Sequence, residues 1–153
     1  MAINIIITAV LVLIDQVAKL IALNKLKPIG NVTFIDGFMD FTFVENYGAA
    51  FGILHGKQWI LILITIVVII GIFIAFKKLP DQKEYNLVRK ACVLVLAGAF
   101  GNLIDRILRN YVVDFFEFTF ISYPVFNIAD IYVVLGSIWL AYLLIFVVKE
   151  DKK

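Results

Sequence analysis

The sequence predicts a membrane α-helical protein, a four-transmembrane-helix bundle with a small extracytoplasmic β-sheet platform. Three observations carry this. Of the 153 residues, 63% are hydrophobic and only 17% are charged, whereas soluble domains run at roughly 45–50% apolar and about 25% charged. The mean hydropathy is +0.99. The apolar residues gather into four long stretches, while the two segments predicted to lie outside are rich in β-formers instead of loop residues. Such a composition excludes soluble globular, disordered and collagenous classes, and a net charge of +2 gives no argument for nucleic acid.

The predicted spans are residues 2–23, 59–76, 87–108 and 127–148, within a single integral membrane domain, 1–153. The second span and residues 131–148 of the fourth carry no charge. Eighteen residues of helix rise about 27 Å, close to the ~30 Å hydrocarbon core. Backbone amides in lipid need internal partners, so these stretches are helices. The first span lacks the basic n-region and small-residue exit of a cleaved signal peptide. It holds Asp15 and Lys19 one helical turn apart, which can neutralise each other.

Orientation follows from Lys and Arg. The loop between spans two and three, and the tail, contain Lys77, Lys78, Lys83, Arg89, Lys90, Lys149, Lys152 and Lys153. The other side has Lys25, Lys27, Lys57, Arg106 and Arg109. The bias places both termini in the cytoplasm. The inner segment 77–90, with Pro80, reads as a solvated connector.

Outside, residues 29–46 contain Asp36-Gly37 between β-formers, a hairpin signal. Residues 111–123 are aromatic and β-branched. Together they predict a β platform at the membrane–water boundary. In the third span, Ala97 and Gly101 form a small-xxx-small pair suited to close helix packing.

Charges inside spans are costly and therefore candidates for function. Asp15 has Lys19, and Asp105 has Arg106 beside it and Arg109 at i+4. Asp114 and Asp130 have no cation near in sequence. Two such carboxylates, if they meet, share one proton, and one can activate water while the other protonates a carbonyl oxygen. The plain alternative makes Asp114 a turn residue and Asp130 a helix N-terminal acid favoured by the dipole; spacing alone does not bring the two together. Other chemistries lack residues. The chain has two serines, Ser122 and Ser137, a single histidine, His55, and a single cysteine, Cys92. Nucleophilic triads and zinc sites are thus disfavoured, and neither metal nor cofactor is expected. A small proton- or cation-conducting protein using intramembrane carboxylates is the competing function, and a non-catalytic assembly factor a third.

Five stretches in order resemble the bacterial lipoprotein signal peptidases, or signal peptidase II. They are Asp15-Gln16-Val17-Ala18-Lys19, Glu45-Asn46-Tyr47-Gly48-Ala49-Ala50-Phe51, the run 98–106 from Gly98 through Asn102 to Asp105-Arg106, Val112-Val113-Asp114-Phe115, and Phe126-Asn127-Ile128-Ala129-Asp130. The resemblance implies an aspartic endopeptidase of the bacterial cytoplasmic membrane. It would cleave diacylglyceryl-modified prolipoproteins just before the lipidated cysteine, with Asp114 and Asp130 as the catalytic dyad. By the same resemblance Asn46, Asn102, Arg106 and Asn127 position the substrate and bond around the dyad. Gly48 and Ala50 allow its close passage, and Asp15, Lys19 and Asp105 are structural. It further implies membrane lipid as surroundings, globomycin-type peptides as inhibitors, and a monomer. Arg106 either binds a substrate carbonyl or pairs with Asp105.

Overall fold

The computed structural model describes residues 2–49 and 53–148. Ala50, Phe51 and the tail lysines Lys149, Lys152 and Lys153 lie outside the described residues. In chain order the elements are α1 (Ala2–Ile21), β1 (Asn31–Ile35), β2 (Met39–Asn46), α2 (Gln58–Lys78), α3 (Lys83–Arg109), β3 (Val112–Phe118) and α4 (Ile128–Tyr142). Single wide π-helical turns prolong α1 through Ala22–Leu26 and α4 through Leu143–Val147. With those turns, all four helices are long and apolar enough to cross a membrane.

The helix ends differ instructively from the sequence expectation. The inner connector expected at 77–90 shrinks to residues 79–82, because α2 runs to Lys78 and α3 begins at Lys83. Charged side chains do not stop a helix that is leaving the bilayer, and Pro80 falls just past the end of α2, where its missing N–H costs nothing. Arg89 then closes the turn, donating to the carbonyls of Leu79 at 2.7 Å and Pro80 at 3.0 Å.

α3 is the central helix: 67% of its span is buried, against 11–17% for the other three. α1, α2 and α4 pack around it and turn Ile, Leu, Val and Phe outward. Lipid tails are as apolar as these side chains, so burial alone does not drive helices together; close approach and polar contacts do. At the α3–α4 contact a Cβ on Gly98 would strike the carbonyl oxygen of Ala129, and one on Gly136 would meet Leu94 and Val95 at 2.9 Å. The tightest approach thus falls at Gly98, one residue beyond Ala97, while Gly101 accommodates Asp15 of α1. α2 packs on α3 through Ile69, Leu96, Ala99 and Leu103. At the end remote from the sheet, Val88, Ala91 and Cys92 pack on Leu143.

The three strands form one antiparallel sheet, β1-β2-β3. The β1–β2 hairpin turns at residues 36–38, where Gly37 takes φ +67°. Only the first part of 111–123 is strand: pairing ends at Phe118, and the chain returns to bridge Phe116 to Phe126. Alternation fixes what β3 presents to each side. Val113 and Phe115 enter an apolar cluster with Ala22 and Leu26, which leaves Asp114 on the opposite face.

Candidate active site

Asp114 and Asp130 come from different elements and face one cavity of about 380 Å³ between α2, α3, α4 and the sheet. Local structure explains each placement. α3 ends on Asn110 in the left-handed conformation, φ 63°, so the chain reverses into β3 within a few residues. The Asp105 carboxylate accepts the Val113 N–H at 3.0 Å and ties the start of β3 to α3. Asp114, next in sequence, is 1% exposed. Asp130 is the third residue of α4. Asn127 caps that helix: its side-chain oxygen accepts the Asp130 N–H at 2.9 Å, and Asp130 Oδ2 accepts the Asn127 N–H at 3.1 Å. This reciprocal cap satisfies two of the orphan donors at a helix start.

Three asparagines hold the two carboxylates. Asn46 donates to Asp114 Oδ2 at 2.8 Å, and Asn127 donates to Asp114 Oδ1 at 2.6 Å. Asn102 donates to Asp130 Oδ1 at 2.8 Å. Each amide is oriented by what its oxygen accepts. Asn46 Oδ1 takes the Gly48 N–H at 2.9 Å, and Asn102 Oδ1 takes Lys19 Nζ at 2.9 Å and Asn127 Nδ2 at 3.1 Å. An amide reversed at either position would face carbonyl oxygen to carboxylate. Asn127 touches both acids, one through its side chain and the other through its backbone.

Burial and the neighbouring Asp130 carboxylate push the Asp114 carboxyl up from 3.8 to about 7, against the pull of the Asn46 and Asn127 amides. Beside the site, the Lys27 ammonium at 2.7 Å and the Tyr47 hydroxyl at 2.8 Å hold the Glu45 carboxyl below its usual range.

Beneath the cavity is a second, dry polar cluster. Lys19 Nζ lies 2.9 Å from Asp15 and 3.2 Å from Asp105, with all three side chains at 0% exposure. Asp105 also holds Arg109 at 2.6 Å. The pairing of Arg106 with Asp105 that the sequence allowed is absent among the described ion pairs. Adjacent residues of a helix point about 100° apart, and Lys19 and Arg109 occupy Asp105 from its own side. Arg106 instead lines the acid cavity, its Nη2 at 3.4 Å from the Gly48 carbonyl and its Nε buried without a partner among the described residues. A guanidinium thus faces the two acids, reaching them from α3 and not from a position near Asp114 or Asp130 in sequence.

Asp15, Lys19, Asn46, Gly48, Asn102, Asp105, Arg106, Asp114, Asn127 and Asp130 are all brought into this one region. Ala50 lies outside the described residues. Gln16 had been given no role: it donates to the Gly101 carbonyl at 3.1 Å and to Asp15 at 3.2 Å. Its position between Asp15 and Lys19 in a span was the available signal. Tyr123 and Pro124, after β3, also line the cavity. His55 is exposed, and Cys92 is buried ten residues along α3 from Asn102, about 15 Å away.

The chain is similar to known proteins along nearly its whole length. The sequence profile of the family described as signal peptidase (SPase) II matches residues 7–146. The lipoprotein signal peptidase of Caldanaerobacter subterraneus subsp. tengcongensis is 46% identical over 142 residues, covering 93% of this chain and 95% of the relative. That of Clostridium acetobutylicum is 42% identical over 153 residues, covering 98% and 97%. A bacterial membrane enzyme solved by the in meso method at 2.3 Å superposes with a TM-score of 0.85 at 35% identity, covering all of this chain and 94% of that one. Another, at 1.9 Å, gives 0.84 at 36% identity, covering 97% and 96%. By sequence and by fold, this four-helix chain belongs to the signal peptidase II family, the lipoprotein signal peptidases.

Proposed function

We propose that residues 1–153 act as one integral membrane unit that cleaves diacylglyceryl-modified prolipoproteins just before the lipidated cysteine, with Asp114 and Asp130 as the catalytic dyad. The observation that carries this is the convergence of the two carboxylates on one cavity, each held by asparagine donors and with Asp114 raised toward neutrality.

A water molecule between the acids completes the chemistry. Protonated Asp114, the more deeply buried partner, gives its proton to the scissile carbonyl oxygen. Asp130 takes a proton from the water as its oxygen attacks the carbonyl carbon, forming a gem-diol. Collapse breaks the C–N bond. The proton on Asp130 goes to the leaving amine, and Asp114 recovers its own from the diol. No covalent enzyme intermediate forms. Asn102 and the Asn127 N–H steady Asp130 throughout, and Arg106 has donor capacity left for a substrate carbonyl. By the family resemblance, Gly48 and Ala50 let a substrate strand pass closely. Asp15, Lys19 and Asp105 stay dry and hold the frame.

The lysine and arginine bias supports both termini in the cytoplasm, with the acids at the outer leaflet. α2 and α4 scarcely touch among the described residues, and the cavity lies between them over α3, so a lipid-anchored chain has a lateral route in. Globomycin-type peptides would compete for the same cavity, and since both acids belong to one chain, a monomer suffices. The acids gather toward one end of the bundle, and α2 is uncharged from Gln58 to its last turn, a distribution that favours hydrolysis over ion conduction.

The test is incubation with a diacylglyceryl-modified prolipoprotein and its unlipidated twin. Cleavage of the first alone, before the cysteine, is expected. Equal cleavage of both would remove the lipid requirement, and cleavage of neither would remove the activity.

A further inference from the structure

A second cavity lies on the other side of α3 from the acids. α1 and α2 each pack on α3 but scarcely on one another, which leaves a cleft of about 560 Å³ between them. Its walls include Ile5, Ala9 and Leu13 of α1, Phe73 and Phe76 of α2, and Phe100 of α3. From Asn4 to Gln16 it follows α1 for about 18 Å, a little over half the ~30 Å hydrocarbon core. That is the reach of one acyl chain from one leaflet.

The cleft has a polar mouth. Lys77 stands at its remote end, and Asn4 and Phe76 are shared with an adjoining cavity of about 420 Å³ that also contains Asp81, Asn86, Arg89 and Lys90. The charges there do not cancel. Arg89 is committed to Asn86 at 2.8 Å and to the two carbonyls closing the α2–α3 turn, and it faces Asp81 at 3.8 Å. Lys77 and Lys90 are exposed and have no partner among the described residues. An apolar slot about one leaflet deep ends beside two uncommitted ammonium groups.

We propose that this cleft binds one anionic phospholipid of the leaflet remote from the acids, an acyl chain in the apolar slot and the phosphate held by Lys77 and Lys90. Apolar complementarity alone would accept any lipid. The paired lysines select negative charge, at about 1 kcal/mol for each near a headgroup, or at least about tenfold together.

Native mass spectrometry of the full chain tests this, after exposure to equal amounts of phosphatidylglycerol and phosphatidylcholine with the same acyl chains. One phosphatidylglycerol is expected to stay bound, with about tenfold preference, while glycerol phosphate without chains is not retained. Lys77→Gln with Lys90→Gln should reduce the preference to within about twofold. Ala9→Phe, which fills the slot, should lose the bound lipid of either kind. Equal retention of the two lipids by the unaltered chain would overturn the proposal, as would an unchanged preference in the lysine variant. The lysine variant alters only exposed side chains, so the test holds even if Ala9→Phe fails to fold.

Discussion

Lys19 and Asp15 form a fully buried ion pair, Nζ to Oδ2 at 2.9 Å, and the other oxygen of Asp15 accepts the Ala129 N–H at 2.9 Å. Ala129 immediately precedes Asp130. Asp105, the second carboxylate on Lys19, accepts the N–H of Val113, which immediately precedes Asp114. One ammonium therefore joins two carboxylates, each of which fixes the backbone one residue before a site aspartate. Removing it leaves Asp15 a buried anion with no cation, beside an Asp105 that keeps only Arg109. Breaking a buried pair by deleting one partner costs about 3–5 kcal/mol. Lys19→Met should lie at the top of that range, whereas Asp15→Asn leaves the Lys19–Asp105 pair and should cost less. Thermal unfolding in detergent measures both. Equal midpoints would mean that Lys19 does not hold the two acids together.

Asp114→Asn and Asp130→Asn preserve shape but cannot exchange protons as a carboxyl does. Each should lower cleavage by at least about 10²-fold while leaving the thermal transition close to that of the parent. Full activity in either variant ends the dyad mechanism, whatever the geometry.

The pH profile carries a sign. Burial and the Asp130 charge raise Asp114 to about 7 in the folded chain, above its ordinary 3.8. Since the proposed step needs Asp114 protonated, turnover should fall as pH rises through about 7. Stability should move the same way. Between these two values the folded chain holds a proton that the unfolded chain has lost, so this group's contribution is complete below the ordinary value and is lost as pH rises toward the folded one. Asn46→Ala removes a hydrogen bond that lowers Asp114, and should shift the alkaline limb of the rate profile upward. A limb that stays put, or moves down, would show that another group sets it.

Hydropathy and period made the bundle legible: the four spans depend on local composition, and Asp36-Gly37 on local turn chemistry. The pairing of Lys19 with Asp15 is also local, one helical turn. Its reach to Asp105 and Asn102 crosses from α1 to α3 over more than eighty residues, and no spacing rule encodes that. The same limit left two roles open for Arg106, a substrate carbonyl or Asp105; Arg109 at i+4 was legible as a partner of Asp105, but Lys19, which also occupies it, comes from α1. The motif resemblance supplied the candidate residues. Which oxygen each asparagine faces became readable only from the assembled hydrogen bonds.

Gly98 offers a test of how far helix packing controls the site. A Cβ there would collide with the Ala129 carbonyl oxygen, a backbone atom, and approach Val133 Cγ2 to 2.6 Å and the Val133 N to 3.1 Å. A flexible side chain could turn aside, but the first turn of α4 has to shift as a body, and it carries Asp130. Overpacking of this kind costs about 1–3 kcal/mol, and a misplacement of about 1 Å at a reacting group can cost 10²-fold in rate. Gly98→Ala is therefore expected to depress cleavage by about one to two orders of magnitude, with only a modest fall in the unfolding midpoint. Gly71→Ala is the control: it lies within α2, where an added Cβ meets nothing within 4 Å, and a better helix former should leave rate and stability intact. If the two variants cleave alike, the α3–α4 contact does not set the position of Asp130. If Gly98→Ala loses stability and rate in proportion, with activity per folded molecule unchanged, the contact holds the bundle together without aiming the carboxylate.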